Sequence, residues 1–204
     1  MSILNRNDQS GRSMVEMLGV LAIIGVLSVG GISGYSKAMA KYKLTKAQDQ
    51  IVMLLMNIRT AYATSPSYSG LTSATAAAYN LAPNEMVNGT GSDATLNGTF
   101  GGAVTVEAIA SHETYFHIKV ENLGKEACRS LASSDWGADG LVMMSVNTGA
   151  TSACSVANGK SVTAGTGAAS GGKGEWCIAK LPASLADVAD ACNNEVNYID
   201  WAYY

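Results

Sequence analysis

Charge is scarce in this chain. Of 204 residues only 14% are Asp, Glu, Lys or Arg, while 48% are hydrophobic; a typical soluble domain carries roughly 25% charged residues. An intrinsically disordered chain needs the reverse composition and is excluded. The net charge is −3 and no basic stripe stands on the main body, which argues against a nucleic-acid binder. Histidine occurs twice, and the four cysteines (Cys128, Cys154, Cys177, Cys192) contain no C-x-x-C pair, which disfavours zinc and thioredoxin-type sites. Proline occurs three times and never before Pro66, so nothing interrupts a helix in the first quarter of the chain. What charge there is falls unevenly. Residues 1–63 hold seven basic against three acidic side chains, a balance of +4, and residues 64–204 hold six against thirteen, a balance of −7. The asymmetry implies two parts with different surroundings.

Between Ser13 and Ser36 lie 24 residues whose only charge is Glu16, with glycines at 19, 25, 30, 31 and 34. About 20 apolar residues span a bilayer core as a helix, and glycine is at home in membrane helices. One reading is a cleavable secretory signal, with Ser28 and Gly30 mimicking its cleavage site; against it stand a weakly basic leader and the acid Glu16 inside the apolar run. A second is a plain signal anchor. Neither explains the glutamate, which costs a few kcal/mol in lipid unless it is paired. Arg12, one turn back in the same helix, is one partner; a positive group on a neighbouring copy is another.

Gly11, four residues, Glu16 at the fifth position and then an apolar run with Ala22-Ile-Ile-Gly25 resemble the type III signal of type IV pilins and pseudopilins. The resemblance implies cleavage by a prepilin peptidase between Gly11 and Arg12 and N-methylation of Arg12. It also implies pairing of Glu16 with the terminal amine of a neighbouring subunit during assembly. The first mature residue in that family is usually apolar; here it is Arg12, an additional cation beside Glu16.

From Lys37 onward the pattern turns amphipathic. Ala40, Leu44, Ala47, Ile51, Leu55, Ile58 and Tyr62 recur at helical spacing, so one helix is expected over residues 12–63, its part from 37 on packed against a head. The glycines of its front half mark either bends or close packing. Thr64–Asn97 reads as a loop with a short helix around Thr72–Tyr79. Val104–Ala110 and Tyr115–Val120 alternate like a β-hairpin. Lys125–Ser133 reads as a helix, Leu141–Val146 as a strand, 147–175 as loop with short strands, and Ser184 to Cys192 as a helix with Ser184 and Asp187 in a capping box. Val196–Tyr204 reads as a last strand, and its aromatics as core. Asn88-Gly89, Asn97-Gly98 and Asn158-Gly159 are turn signals. The whole predicts an α+β protein, a long N-terminal helix on an antiparallel sheet.

Tyr68-Ser-Gly-Leu71, Phe100-Gly-Gly102 and the segment Lys125-Glu-Ala-Cys-Arg-Ser-Leu-Ala132 are similar to the type IVb pilins. By themselves, four exported cysteines permit three pairings. The resemblance implies a Cys128–Cys192 bridge enclosing a variable D-region over 128–192, and a Cys154–Cys177 bridge is expected nested inside it. Residues 1–11 are then a leader, 12–36 the membrane and fibre-core segment, and 64–204 the head.

No catalytic set stands out. His112 and His117 are separated by five residues and are read as histidines on opposite strand faces. Gly171-Gly-Lys-Gly174 lacks the spacing and hydroxyl of a phosphate loop. The expectation is a structural pilus subunit, not an enzyme, with no metal or cofactor. It is anchored first in the inner membrane and then assembled, by a platform there, into a surface fibre of identical copies for adhesion or aggregation. A secretion pseudopilin and a membrane-anchored binding module are the alternatives.

Overall fold

The helix α1 spans Gln9–Ala61 without a break. This computed structural model describes residues 9–110, 112–136, 140–147, 155–157, 161–163, 176–178, 183 and 185–204. The chain forms two units, Met1–Tyr42 and Lys43–Tyr204. In the first, every large apolar side chain from Met14 to Tyr35 is exposed, because the helix is apolar all round and no single face is set aside for a core.

In the second unit α1 becomes one-sided. Ala47, Ile51, Leu54, Leu55 and Ile58 are buried while Val52, Met53 and Met56 face out. Leu54 joins the predicted stripe, one residue off its stated spacing, and Ala40 falls outside it, being exposed. Polar side chains fix the helix edge. Gln50 bonds Glu85 at 2.6 Å and accepts from Thr99 at 2.7 Å, and Lys46 reaches the other Glu85 oxygen at 2.8 Å. Lys46 first, then Gln50, hold the Glu85 carboxyl below the usual range. The helix ends where Ser65 turns back to the Tyr62 carbonyl and Pro66 follows.

A short helix α2, Ser73–Ala78, starts at Thr72, which exchanges two side-chain bonds with Thr75 in a capping box. Two short strands come next, β1 (Val87–Asn88) and β2 (Thr95–Asn97), where the local sequence pattern predicts only loop. Then come the hairpin β3 (Ala103–Ala108) and β4 (Phe116–Leu123), helix α3 (Lys125–Ala132) and strand β5 (Leu141–Asn147). Short strands β6 (Ser155–Ala157), β7 (Ser161–Thr163) and β8 (Trp176–Ile178) precede helix α4 (Leu185–Ala191) and strand β9 (Asn197–Tyr203). Ser184 and Asn158-Gly159 lie outside the described residues.

Among the described residues seven strands form one sheet in the order β1-β2-β3-β4-β9-β5-β8, every pair antiparallel; β6 and β7 pair separately. The last strand of the chain therefore lies inside the sheet, between β4 and β5. One face packs Val104, Val106, Phe116, Ile118, Val120, Met144, Val146, Ile199, Trp201 and Tyr203 into the same core as the α1 stripe and α3. Trp136 packs at a tilt against Trp201 with centroids 4.7 Å apart and donates its Nε1 proton to the Leu131 carbonyl.

Phe100-Gly-Gly102 forms the turn into β3. Gly101 adopts φ +79, and a Cβ on Gly102 would run into the Glu121 carbonyl of β4. Gly102→Ala is expected to lose about 1–3 kcal/mol of stability through that clash. Thermal unfolding of the detergent-solubilised chain measures it, and an unchanged midpoint would show that the β3–β4 approach is soft.

Candidate functional site

Three places carry chemistry beyond packing. The first is the start of α1. Gly11 and Arg12 lie on the helix five and four residues before Glu16. Glu16 is exposed, and no described group pairs with it. The helix is long and apolar enough to cross a membrane. A Cβ added at Gly19, Gly25, Gly30, Gly31 or Gly34 meets nothing within 4 Å, so the chain's own packing demands glycine at none of them. Their use is either in deformability or in contact with something outside the single chain.

The second is the staple. Cys128 on α3 and Cys192, directly after α4, form a disulfide with both residues fully buried and 64 positions apart. Polar contacts close the same seam: the Arg129 guanidinium donates to the Ala189 carbonyl at 3.2 Å, and Lys125 pairs with Glu195 at 2.7 Å. Lys125 lowers the Glu195 carboxyl pKa, chiefly by that hydrogen bond. Cys154 lies outside the described residues, and Cys177 sits on β8.

The third was not foreseen. Alternation on β4 sends Phe116, Ile118 and Val120 into the core and His117, Lys119 and Glu121 to the other face, where β9 presents Asp200 and Tyr198. Lys119 stands directly across from Asp200, Ser145 of β5 flanks Asp200 on its other side, and Glu107 of β3 faces His117. Asp200 is 2% exposed, Lys119 7% and Ser145 1%. His117 Nδ1 lies 3.2 Å from both Asp200 oxygens, with Glu107 3.9 Å from its Nε2. Lys119 Nζ meets Glu121 at 2.9 Å and sits over the Tyr198 ring. Burial works against charge on His117, but the Asp200 hydrogen bond, the Asp200 charge and the Glu107 charge together outweigh it and the nearby Lys119, and the imidazole pKa is raised. His112, expected on a strand, instead lies in the β3–β4 turn, where its carbonyl accepts from Tyr115. The signal for the cluster was present as alternating polar residues on β4, but its partner Asp200 is 83 residues away. Among the described residues no group of three His, Cys, Asp or Glu could hold a metal ion.

A model of the Bundlin family matches residues 37–194. The major structural subunit of the bundle-forming pilus of Escherichia coli O127:H6 is 26% identical over 136 residues, 66% of this chain and 69% of that protein. The same subunit from Escherichia coli O111:H- matches equally. In three dimensions the chain is similar to TcpA, a type IV pilin from Vibrio cholerae El Tor, with TM-score 0.52 and 16% identity over 80% of this chain and 99% of that one. It is likewise similar to the type IV b pilin from Salmonella typhi, with TM-score 0.51 and 17% identity over 80% of this chain and 98% of that one. The α+β architecture with its long N-terminal helix is thus the pilin fold.

Two outcomes follow from this geometry. A group whose pKa is raised on folding stabilises the fold fully below its unfolded pKa, about 6.5 for histidine, and loses that contribution as pH rises through the folded value. The melting temperature of the full chain should therefore fall as pH climbs from below 6.5, and His117→Gln should remove that component of the fall; an identical profile in the variant would show His117 uncoupled from folding. Replacing Cys128 and Cys192 together by serine should cost about 4 kcal/mol, the loop-closure value for a ring of this size, read as a lowered denaturation midpoint under non-reducing conditions.

Proposed function

The chain belongs to the Bundlin family, and from that membership we propose that it is the major structural subunit of a type IVb-like pilus. The observation that carries the proposal is Glu16. It is the only charge in the 24-residue apolar run, it is exposed on α1, and no described group of its own chain pairs with it. An ionised carboxylate there costs about 3 kcal/mol or more in the bilayer, a cost that a positive group from a second copy offsets.

In this reading residues 1–11 are a leader that a prepilin peptidase removes after Gly11. The new first residue, Arg12, is N-methylated. Residues 12–36 hold the precursor in the inner membrane, where the assembly platform takes it up. The amine of one mature chain meets Glu16 of a neighbour, which sets the axial step between copies. The helices then form the interior of the fibre, and the head over 64–204 faces outward, where it serves adhesion or aggregation. Support comes from the family match, from the pilin fold, and from five glycines whose use lies outside the chain's own packing. A Cys154–Cys177 bridge would close the glycine-rich stretch of the D-region, and peptide mapping without reduction reads it directly.

The mature subunit should begin at Arg12, read by intact-mass analysis of sheared fibres; a start at Met1 or after Ser36 would overturn the processing step. Glu16→Ala should leave normal membrane levels of processed subunit and few or no fibres. Arg12→Met should leave fibres intact, because pairing of Arg12 and Glu16 within one helix contributes only about 0.3–0.5 kcal/mol. Normal fibres from the Glu16→Ala strain would make the carboxylate a bystander.

A further inference from the structure

The apolar run ends in a pattern that the assembly mechanism does not use. Met14 to Gly34 is 21 residues, about 31 Å of helix, which matches the roughly 30 Å hydrocarbon core of a bilayer. With the first of these residues at one edge of that core, Tyr35 falls at the other edge. Tyr35 and Tyr42 are 68% and 60% exposed. Seven residues apart, they lie on one side of the helix. Lys37 and Lys41, both exposed, are four residues apart and lie together on the opposite side. The helix thus carries aromatic rings on one flank and ammonium groups on the other within two turns of the membrane edge. That is the pairing of side chains that settles at an interface: tyrosine with its ring among the headgroups, lysine with its stem along the acyl boundary and its charge at the phosphate.

The charge bias has a second meaning. Four lysines (37, 41, 43 and 46) follow the apolar run, while Arg6 and Arg12 precede it. Flanking cations normally lie on the cytoplasmic side. In the proposed orientation, on which this inference rests, the larger cluster lies on the opposite side, with the head. Those lysines therefore work against the usual orientation rule and serve something else at that surface. Lys46 is committed to Glu85 at 2.8 Å within the head. Lys37 and Lys41 are exposed on the part of α1 that belongs to the first unit.

We infer that Tyr35, Lys37, Lys41 and Tyr42 form an interfacial collar that binds the phosphodiester headgroups of anionic lipids in the outward-facing leaflet of the inner membrane. The collar fixes the depth of the unassembled subunit, and with it the depth of Glu16, 21 residues before Lys37. Leaving the bilayer for the fibre breaks these contacts, so the collar also opposes extraction until assembly contacts replace it.

The test uses the full chain reconstituted into vesicles of phosphatidylcholine alone and of phosphatidylcholine with phosphatidylglycerol. A membrane-impermeant amine-acylating reagent is applied, and modification is read lysine by lysine by peptide mass spectrometry, with Lys125 of the head as internal control. Lys37 and Lys41 should react roughly three- to ten-fold more slowly in the phosphatidylglycerol vesicles at low salt, an effect that high salt removes. Native mass spectrometry gives an independent reading: the detergent-solubilised chain should retain phosphatidylglycerol, and Lys37→Gln with Lys41→Gln should lose it while the chain still inserts. Equal acylation in both lipids, or unchanged lipid retention in the double variant, overturns the collar. Failure of the wild-type chain to resist alkaline extraction from either vesicle would instead overturn the membrane-anchored reading itself.

Discussion

The C-terminal strand has to find the middle of the sheet. β9 pairs with β4 on one side and β5 on the other, and until it is in place neither half of the sheet has a complete core face. Ile199, Trp201 and Tyr203 of β9 are fully buried in that face, and Trp201 and Tyr203 are the two largest fully buried side chains among the described residues. The strand follows β5 only after a long intervening stretch of chain, so its docking carries a loop-closure entropy cost. The Cys128–Cys192 bridge limits that cost, because it ties the residue five positions before β9 to α3, which packs on the same core. Lys125–Glu195 and Arg129–Ala189 close the same seam without covalent chemistry.

Register at β9 is specified from both faces. A slip of one residue would carry Asp200 into the apolar core and Trp201 onto the polar face. Asp200 is held by His117 on the neighbouring strand, and Lys119 stands across from it beside Glu121 and Tyr198. Such a buried polar group is weak as a source of net stability and strong as a penalty on wrong pairings, since any other register leaves at least one charge buried without a partner.

One continuous helix changes character along its length. Up to Tyr35 the apolar side chains run around the whole circumference, which suits hydrocarbon or the interior of a bundle. Past Lys43 they narrow to the stripe Ala47, Ile51, Leu54, Leu55 and Ile58, and the edges of that stripe carry Lys46, Gln50 and Asn57, each bonded to the head. The front segment thereby keeps its apolar side chains exposed, while the later segment packs into the head.

Much of this was written locally in the chain. The apolar run with its lone Glu16, the helical stripe after it, the Thr72 helix start and the alternation of β3 and β4 all depend on residues within a few positions of one another, and period and composition reveal them directly. The strands β1 and β2 have two and three residues, too few for any period to show, and they exist because β3 offers them an edge. The position of β9, the pairing of His117 with Asp200 and the depth at which Lys119 is buried were decided only in three dimensions. They arise between segments more than 50 residues apart, and a local pattern carries the polarity of each partner but not which partner it meets. What settles that choice is the exclusion of water from one shared core, a property of the whole fold that no single stretch of sequence contains.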